Sequence, residues 1–257
     1  MTTSVSVGKH QFLHAEVGHV PLLQSLSWLR RGWDDLRYFG LASLAHGALI
    51  SVLGAILLLL FSTHVYLMAA AVTGWLLVGP IMTTAVCELS RRREAGAPLG
   101  DAQPQEATSR DTGSVLRFGA LLAGFTLLWF AASATTLQAI LHTSAPSLSV
   151  ALWGSLTDAV TRPQLLGYLA SGAVLAAVVF TLSVVSVPLI IDRHASASEA
   201  MWTSARVVFS NFPAMLVWAA LIVALTALGF VTFLFGMVIV APLLGHATWH
   251  AYRDLVR

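Results

Sequence analysis

Few residues in this chain could do chemistry, and the densest group stands near the C-terminus. The stretch "VAPLLGHATWHAYRDLVR" places His246 and His250 four residues apart. On a helix that spacing puts both imidazoles on one face, the arrangement of two metal or haem ligands. The motif differs from a zincin helix, because Ala247 stands where the catalytic glutamate would be. His46 lies seven residues after Phe39, and His246 lies seven before Arg253. At about 1.5 Å per helical residue, both sit about 10 Å inside the same interface. The repeat register places Thr84 opposite His246 and Glu88 opposite His250, near the cytoplasmic face. His46, Glu88, His246 and His250 are thus the candidate metal or haem ligands. No Ser/His/Asp or Cys/His set for covalent catalysis is evident, and the lone Cys87 has no obvious base. No phosphate-binding glycine loop is present. The plainer account of the histidines is interfacial. Trp249 and Tyr252 would lie in the aromatic belt, with Arg253 as a cytoplasmic anchor.

These residues must be held by membrane helices. The 257-residue chain is 57% hydrophobic and only 10% charged; soluble domains carry about 25% charged residues. A single cysteine rules out an intrachain disulfide framework. No basic stripe with interleaved aromatics points to nucleic acid. The first twenty residues lack the apolar core of a signal peptide, so the first span is expected to direct insertion.

A span needs about 20 apolar residues. Six are expected, at about 39–61, 65–89, 116–141, 166–191, 213–230 and 232–252. They make an all-α membrane domain over 21–257, after a flexible tail at 1–20. The last apolar run is too long for one span, and Gly229 and Gly236 are the expected turn. All but Arg162 of the 14 basic residues then fall on one side, which the positive-inside rule makes cytoplasmic. Both termini lie on that side, and a bacterial inner membrane is the expected location. Loop 94–114 is polar and cytoplasmic. Loop 142–164 lies outside, with Leu148, Leu152, Leu156 and Trp153 suggesting a short surface helix.

Two amphipathic helices precede spans one and five. In the first, Leu22, Leu26, Leu29, Trp33 and Leu36 form an apolar stripe opposite Arg30, Arg31, Asp34 and Asp35. In the second, Ala197, Met201, Ala205 and Val208 recur similarly near Trp202 and Arg206. Trp28 stands eleven residues before Phe39, and Trp202 eleven before Pro213. Trp28, Trp33, Trp202, Trp249 and Tyr252 are the expected interfacial anchors. Each second helix of a pair ends in a proline segment, with Pro80, Pro188 and Pro242 as expected kinks. Pro80 precedes Arg91, and Pro242 precedes Arg253, by eleven residues. The chain therefore reads as three hairpin repeats, the middle one diverged.

The segments "WLRRGWDDL", "VPLIIDR" and "PLLGHATWHAYRDL" resemble an uncharacterised family of bacterial predicted integral membrane proteins, a domain of unknown function. The pattern of amphipathic helix, Asn, span, Pro, span is more loosely similar to the membrane domain of some glycerophosphodiester phosphodiesterases. The family resemblance implies six spans and no established activity. Some members carry the label cytochrome c oxidase subunit I. That label implies about twice as many spans and six metal-binding histidines, which this sequence lacks. The function expected is a non-enzymatic accessory, assembly or scaffold protein, linked at most to a respiratory complex. It would bind the bilayer and other membrane proteins or itself, and no cofactor is expected. One alternative is a metal- or haem-binding redox protein using His46, His246 and His250. Another is a transporter of a hydrophobic or amphiphilic solute. The small-residue faces "ASLAHGALISVLGA" and "GALLAGFTLLWFAASA" allow close helix contacts.

Overall fold

A computed structural model of the chain describes residues 15–63, 65–96, 109–141 and 161–257. The expected outer surface helix around Trp153 lies outside these residues, as does most of loop 94–114. Among the described residues the regular structure is helical. In chain order the helices are α1 (Gln24–Phe39), α2 (Leu41–Leu60), α3 (Val65–Met82), α4 (Thr84–Glu94), α5 (Ser109–Leu141), α6 (Arg162–Ser183), α7 (Ser186–Arg193), α8 (Ala197–Ser210), α9 (Phe212–Val231) and α10 (Met237–Leu255). Among the described residues, five stretches are long and apolar enough to cross a membrane: Leu41–Leu60, Leu67–Glu94, Thr112–Thr136, Arg162–Arg193 and Phe212–Val231. The expected sixth span, 232–252, is not one of them. It becomes a turn followed by α10, whose last three turns carry His246, His250, Arg253 and Asp254.

The turn differs from the glycine-based expectation. Phe233 and Leu234 take positive φ values of 52° and 69°. This conformation is costly for side chains with a Cβ, but Leu234 gains burial in a small cluster with Ile50, Met237 and Val240. Ser51 Oγ also donates to the Leu234 carbonyl at 3.0 Å. Gly236 does lie in the turn, just before α10, and its amide donates to the Thr232 hydroxyl at 2.8 Å, while Gly229 packs within α9. A Cβ on Gly229 would overlap the Met237 thioether, and one on Gly236 would overlap the Thr232 hydroxyl.

The three prolines do not act alike. A proline removes a hydrogen bond and crowds the carbonyl four residues back. At Pro188 the helix breaks there: α6 ends at Ser183 and α7 starts at Ser186. Ser186 Oγ donates to the Leu182 carbonyl at 2.6 Å. After Pro80 the break comes at Thr83, where Thr83 and Thr84 hydroxyls return to the Pro80 and Ile81 carbonyls at 2.8 and 2.5 Å. Such local partners are what a break needs where water is scarce. Through Pro242, α10 runs without a break. The carbonyl it displaces, on Val238, faces Gly47 of α2 so closely that a Cβ there would overlap it. Gly32 of α1 sits equally tightly on the Ala247 backbone, where a Cβ would come within 2.8 Å of the nitrogen. These contacts make α10 the central helix, packed chiefly on α1 and α2 and then on α4.

The core sits at the end of the bundle where the termini meet. Trp28, Trp218, Phe118, Ile190, Met215, Trp249 and Tyr252 are fully buried there. Residues 16–20 belong to this end as well, so the tail is held from Glu16 onward. Val17 pairs with Val256, the Gly18 amide donates to the Leu255 carbonyl and the Arg257 amide to the Glu16 carbonyl, both at 2.9 Å. Asn211, at the α8–α9 corner, donates to the Gly18 carbonyl and accepts from the Val20 amide, each at 3.0 Å. The rest of the bundle is thinly covered. Only 17–22% of the apolar windows in α2, α5 and α9 is buried, against 50% in the α6–α7 stretch.

Candidate functional site

The polar centre of the molecule forms where α1, α2, α4 and α10 converge. Its hub is Asp35, which lies on the buried face of α1 with Trp28, Gly32 and Phe39. Asp35 Oδ1 accepts from Arg93 Nη1 at 2.5 Å. Asp35 Oδ2 accepts from Ser90 Oγ at 2.5 Å and from His250 Nε2 at 3.0 Å. Burial alone would raise this carboxyl. The bonds from His250 and Ser90 outweigh it and hold Asp35 below the ordinary aspartate range.

The hub extends inward as a directed chain. Ser90 has one hydroxyl proton and gives it to Asp35, so it accepts from His246 Nδ1–H at 2.7 Å. That fixes the His246 tautomer, and its Nε2 accepts from Ser43 Oγ at 2.8 Å. Phe39 stacks on the imidazole, with centroids 5.7 Å apart and planes 5° from parallel. Ser43, Ser90 and His246 are all buried. Both ring nitrogens of His246 are therefore occupied, and reaching either would require breaking a hydrogen bond.

The four expected ligands do not assemble. His246 and His250 share Asp35 as a neighbour, at 3.8 and 3.0 Å. His46 points elsewhere: its Nε2–H donates to the Met82 carbonyl at 2.7 Å, at the α3–α4 break. Glu88 is held by Arg91 at 2.7 Å and by Arg92 at 2.8 Å, within its own helix. Among the described residues no group of three or more His, Cys, Asp or Glu is placed to hold a metal ion. The buried thiol of Cys87 donates to the Gly245 carbonyl at 3.5 Å.

Three of the expected anchors lie inside the protein. Trp28 Nε1 donates to Asp254 Oδ2 at 2.8 Å. Trp249 Nε1 donates to Glu94 at 2.8 Å, and the Tyr252 hydroxyl to Asp192 at 2.5 Å. Asp254 also accepts from Gln24 at 2.8 Å and from Arg31 at 2.5 Å. Burial opposes its charge, and the bonds from Arg31, Gln24 and Trp28 overcome that, leaving its carboxyl below the usual value. Arg253 reaches Glu94 at 2.8 Å. Trp33 and Trp202 are exposed.

Asp35, Ser43, Ser90 and Arg93 are not among the candidates the sequence offers, because Asp35 falls on the face opposite the apolar stripe of α1. A signal was present. Ser25, Trp28, Gly32, Asp35 and Phe39 recur at helical spacing, and small residues between aromatic ones mark a close helix contact.

Residues 65–192 match a family model described as "Predicted integral membrane protein (DUF2189)". The match agrees with the uncharacterised membrane family that the sequence resembles. It includes Glu88, Ser90, Arg93, Pro80 and Pro188, and leaves Asp35, Ser43, His246 and His250 outside it. No curated protein matches the chain. No solved structure matches it either.

Proposed function

We propose that this integral membrane protein is a non-enzymatic scaffold or accessory component that holds other membrane proteins through its exposed spans. The observation that carries the reading is a division of labour. The groups with chemical potential are bonded to one another at the basic end, while most of the α2, α5 and α9 surface is left uncovered by the chain. His246, His250, Glu88 and Asp35 are engaged within the fold. A buried, fully bonded polar network fixes helix positions and offers no obvious opening for a substrate.

The same reading places the chain in a bacterial inner membrane with both termini in the cytoplasm. α10 makes the sixth crossing, returning from the turn at 232–236 to the basic end. Three hairpins give the plan, with α1 and α8 as helices at the interface. The arginine distribution supports this orientation, since Arg162 alone falls on the opposite side.

The test is site-specific photocrosslinking in native membranes from exposed Leu127 of α5 and exposed Val223 of α9, with buried Trp218 as control. Discrete adducts of defined protein mass from the two exposed sites, and none from Trp218, are the expected result. Lipid adducts alone would overturn the reading. So would a purified protein with a haem band that disappears in His246→Ala.

A further inference from the structure

α8 has two unlike faces. Inward, Ser204 Oγ donates to the Thr181 carbonyl of α6 at 2.7 Å, and Ala200 and Val207 are buried. Outward, Trp202, Arg206 and Phe209 follow one another at helical spacing on a single stripe. Trp202 is 68% and Phe209 72% exposed. The acidic residue nearest this stripe on α8, Glu199, is turned back onto the Ser196 hydroxyl at 2.7 Å in a capping box. Arg206 has no carboxylate in salt-bridge reach among the described residues, whereas Arg31, Arg91, Arg92, Arg93 and Arg253 each have one.

Beside Phe209, α6 leaves an open apolar groove of about 350 Å³ lined by Val174, Ala177, Val178, Thr181, Leu182 and Phe209. Thr181 does not make the groove polar, because its hydroxyl donates to the Ala177 carbonyl at 2.7 Å. Arg206 thus stands without a carboxylate on the helix face whose Phe209 borders this open groove, with the Trp202 indole on the same stripe.

We propose that the α6–α8 face binds one anionic phospholipid, its headgroup phosphate on Arg206 beside Trp202 and an acyl chain in the groove past Phe209. The chemistry selects this occupant. Arginine matches phosphate oxygens in a bidentate manner, tryptophan favours the headgroup level, and the groove needs an apolar chain. A free phosphate would leave the groove empty, and a zwitterionic lipid would bring its own cation to the arginine. The inference goes beyond the scaffold reading and needs no partner protein.

The test uses the full chain reconstituted into phosphatidylcholine vesicles containing a minor fraction of lipid with brominated acyl chains. Bromines quench nearby indoles, and the Trp202 share is the difference between wild type and Trp202→Phe. Brominated phosphatidylglycerol is expected to quench this share more than brominated phosphatidylcholine at equal fraction. Removing one interfacial arginine should weaken that preference about fivefold, so Arg206→Gln loses it and Arg206→Lys keeps most of it. Ala177→Phe, which fills the groove and leaves the charge, should lower it independently. Equal quenching by the two lipids in the wild type overturns the site. So does a preference that survives both Arg206→Gln and Ala177→Phe.

Discussion

α1 and α8 make an instructive pair. Each precedes a long apolar helix, and each carries a tryptophan eleven residues before a matching position, Trp28 before Phe39 and Trp202 before Pro213. Trp28 is fully buried, and Trp202 is 68% exposed. The cause is the neighbour. α1 lies along α10 with Gly32 against Ala247, and two carboxylates clamp it: Asp35 to α4 and α10, Asp254 to Gln24, Trp28 and Arg31. α8 rests mainly on α6 and α7, through bonds such as Ser204 to Thr181, and keeps its aromatic stripe outside. Equal spacing in sequence therefore gave one helix built into the core and one laid against it.

The sharpest way to break this comparison is to truncate the two tryptophans. Trp28→Ala removes a buried indole and a donor to Asp254, and should cost about 3–5 kcal/mol. Trp202→Ala should change stability by no more than about 0.5 kcal/mol. Denaturation midpoints in one mild detergent read both, and similar losses would show the two helices to be equally embedded.

Asp35→Ala tests the clamp itself. Arg93 and His250 would lose their shared carboxylate and Ser90 its acceptor, a loss of about 3–4 kcal/mol for a broken buried pair. Asp34→Ala, one residue along on the exposed side, is expected to be close to neutral. If the two variants melt alike, Asp35 does not hold α1.

Gly47→Ala probes the close approach of α2 to α10. The new methyl would meet the Val238 carbonyl, and overpacking costs about 1–3 kcal/mol. Gly124→Ala on α5, where nothing lies within 4 Å, is the control and should be tolerated.

The smallest effect concerns pH. Asp35 and Asp254 are both held below the ordinary aspartate value near 3.8. A carboxyl depressed in the folded state binds fewer protons than in the unfolded state. Its contribution is present above the unfolded value and is lost as the pH falls through the folded one. Thermal stability should thus decline on acidification below about pH 4, and Asp35→Asn and Asp254→Asn should each flatten that decline. An acid limb unchanged in both variants would mean that neither carboxylate contributes.

Much of the scaffold was legible along the chain. Apolar length located α2 and α9 to within a few residues, and the end of α5 though not its start at Ser109, because a helix surrounded by lipid must satisfy its own backbone and cover it with apolar side chains. Proline marked the segment that breaks before α7, and the spacing of His246 and His250 correctly put both on one helix face. The hub at Asp35 was much harder to read. Asp34 and Asp35 are the same residue type side by side, and only the spacing of Asp35 with Trp28, Gly32 and Phe39 sets it apart; one is buried and the other exposed because α10 passes on one side of α1.

Composition and periodicity determined that this is an all-helical membrane protein, since burial in lipid is imposed residue by residue. The tertiary structure alone decided which polar groups meet. It turned His46 to the Met82 carbonyl and His246 to Ser43 and Ser90, brought Trp28 and Tyr252 inside, and left Trp202 out. Those outcomes depend on which helices touch, through contacts between residues from 36 to 226 positions apart that no local pattern fully encodes.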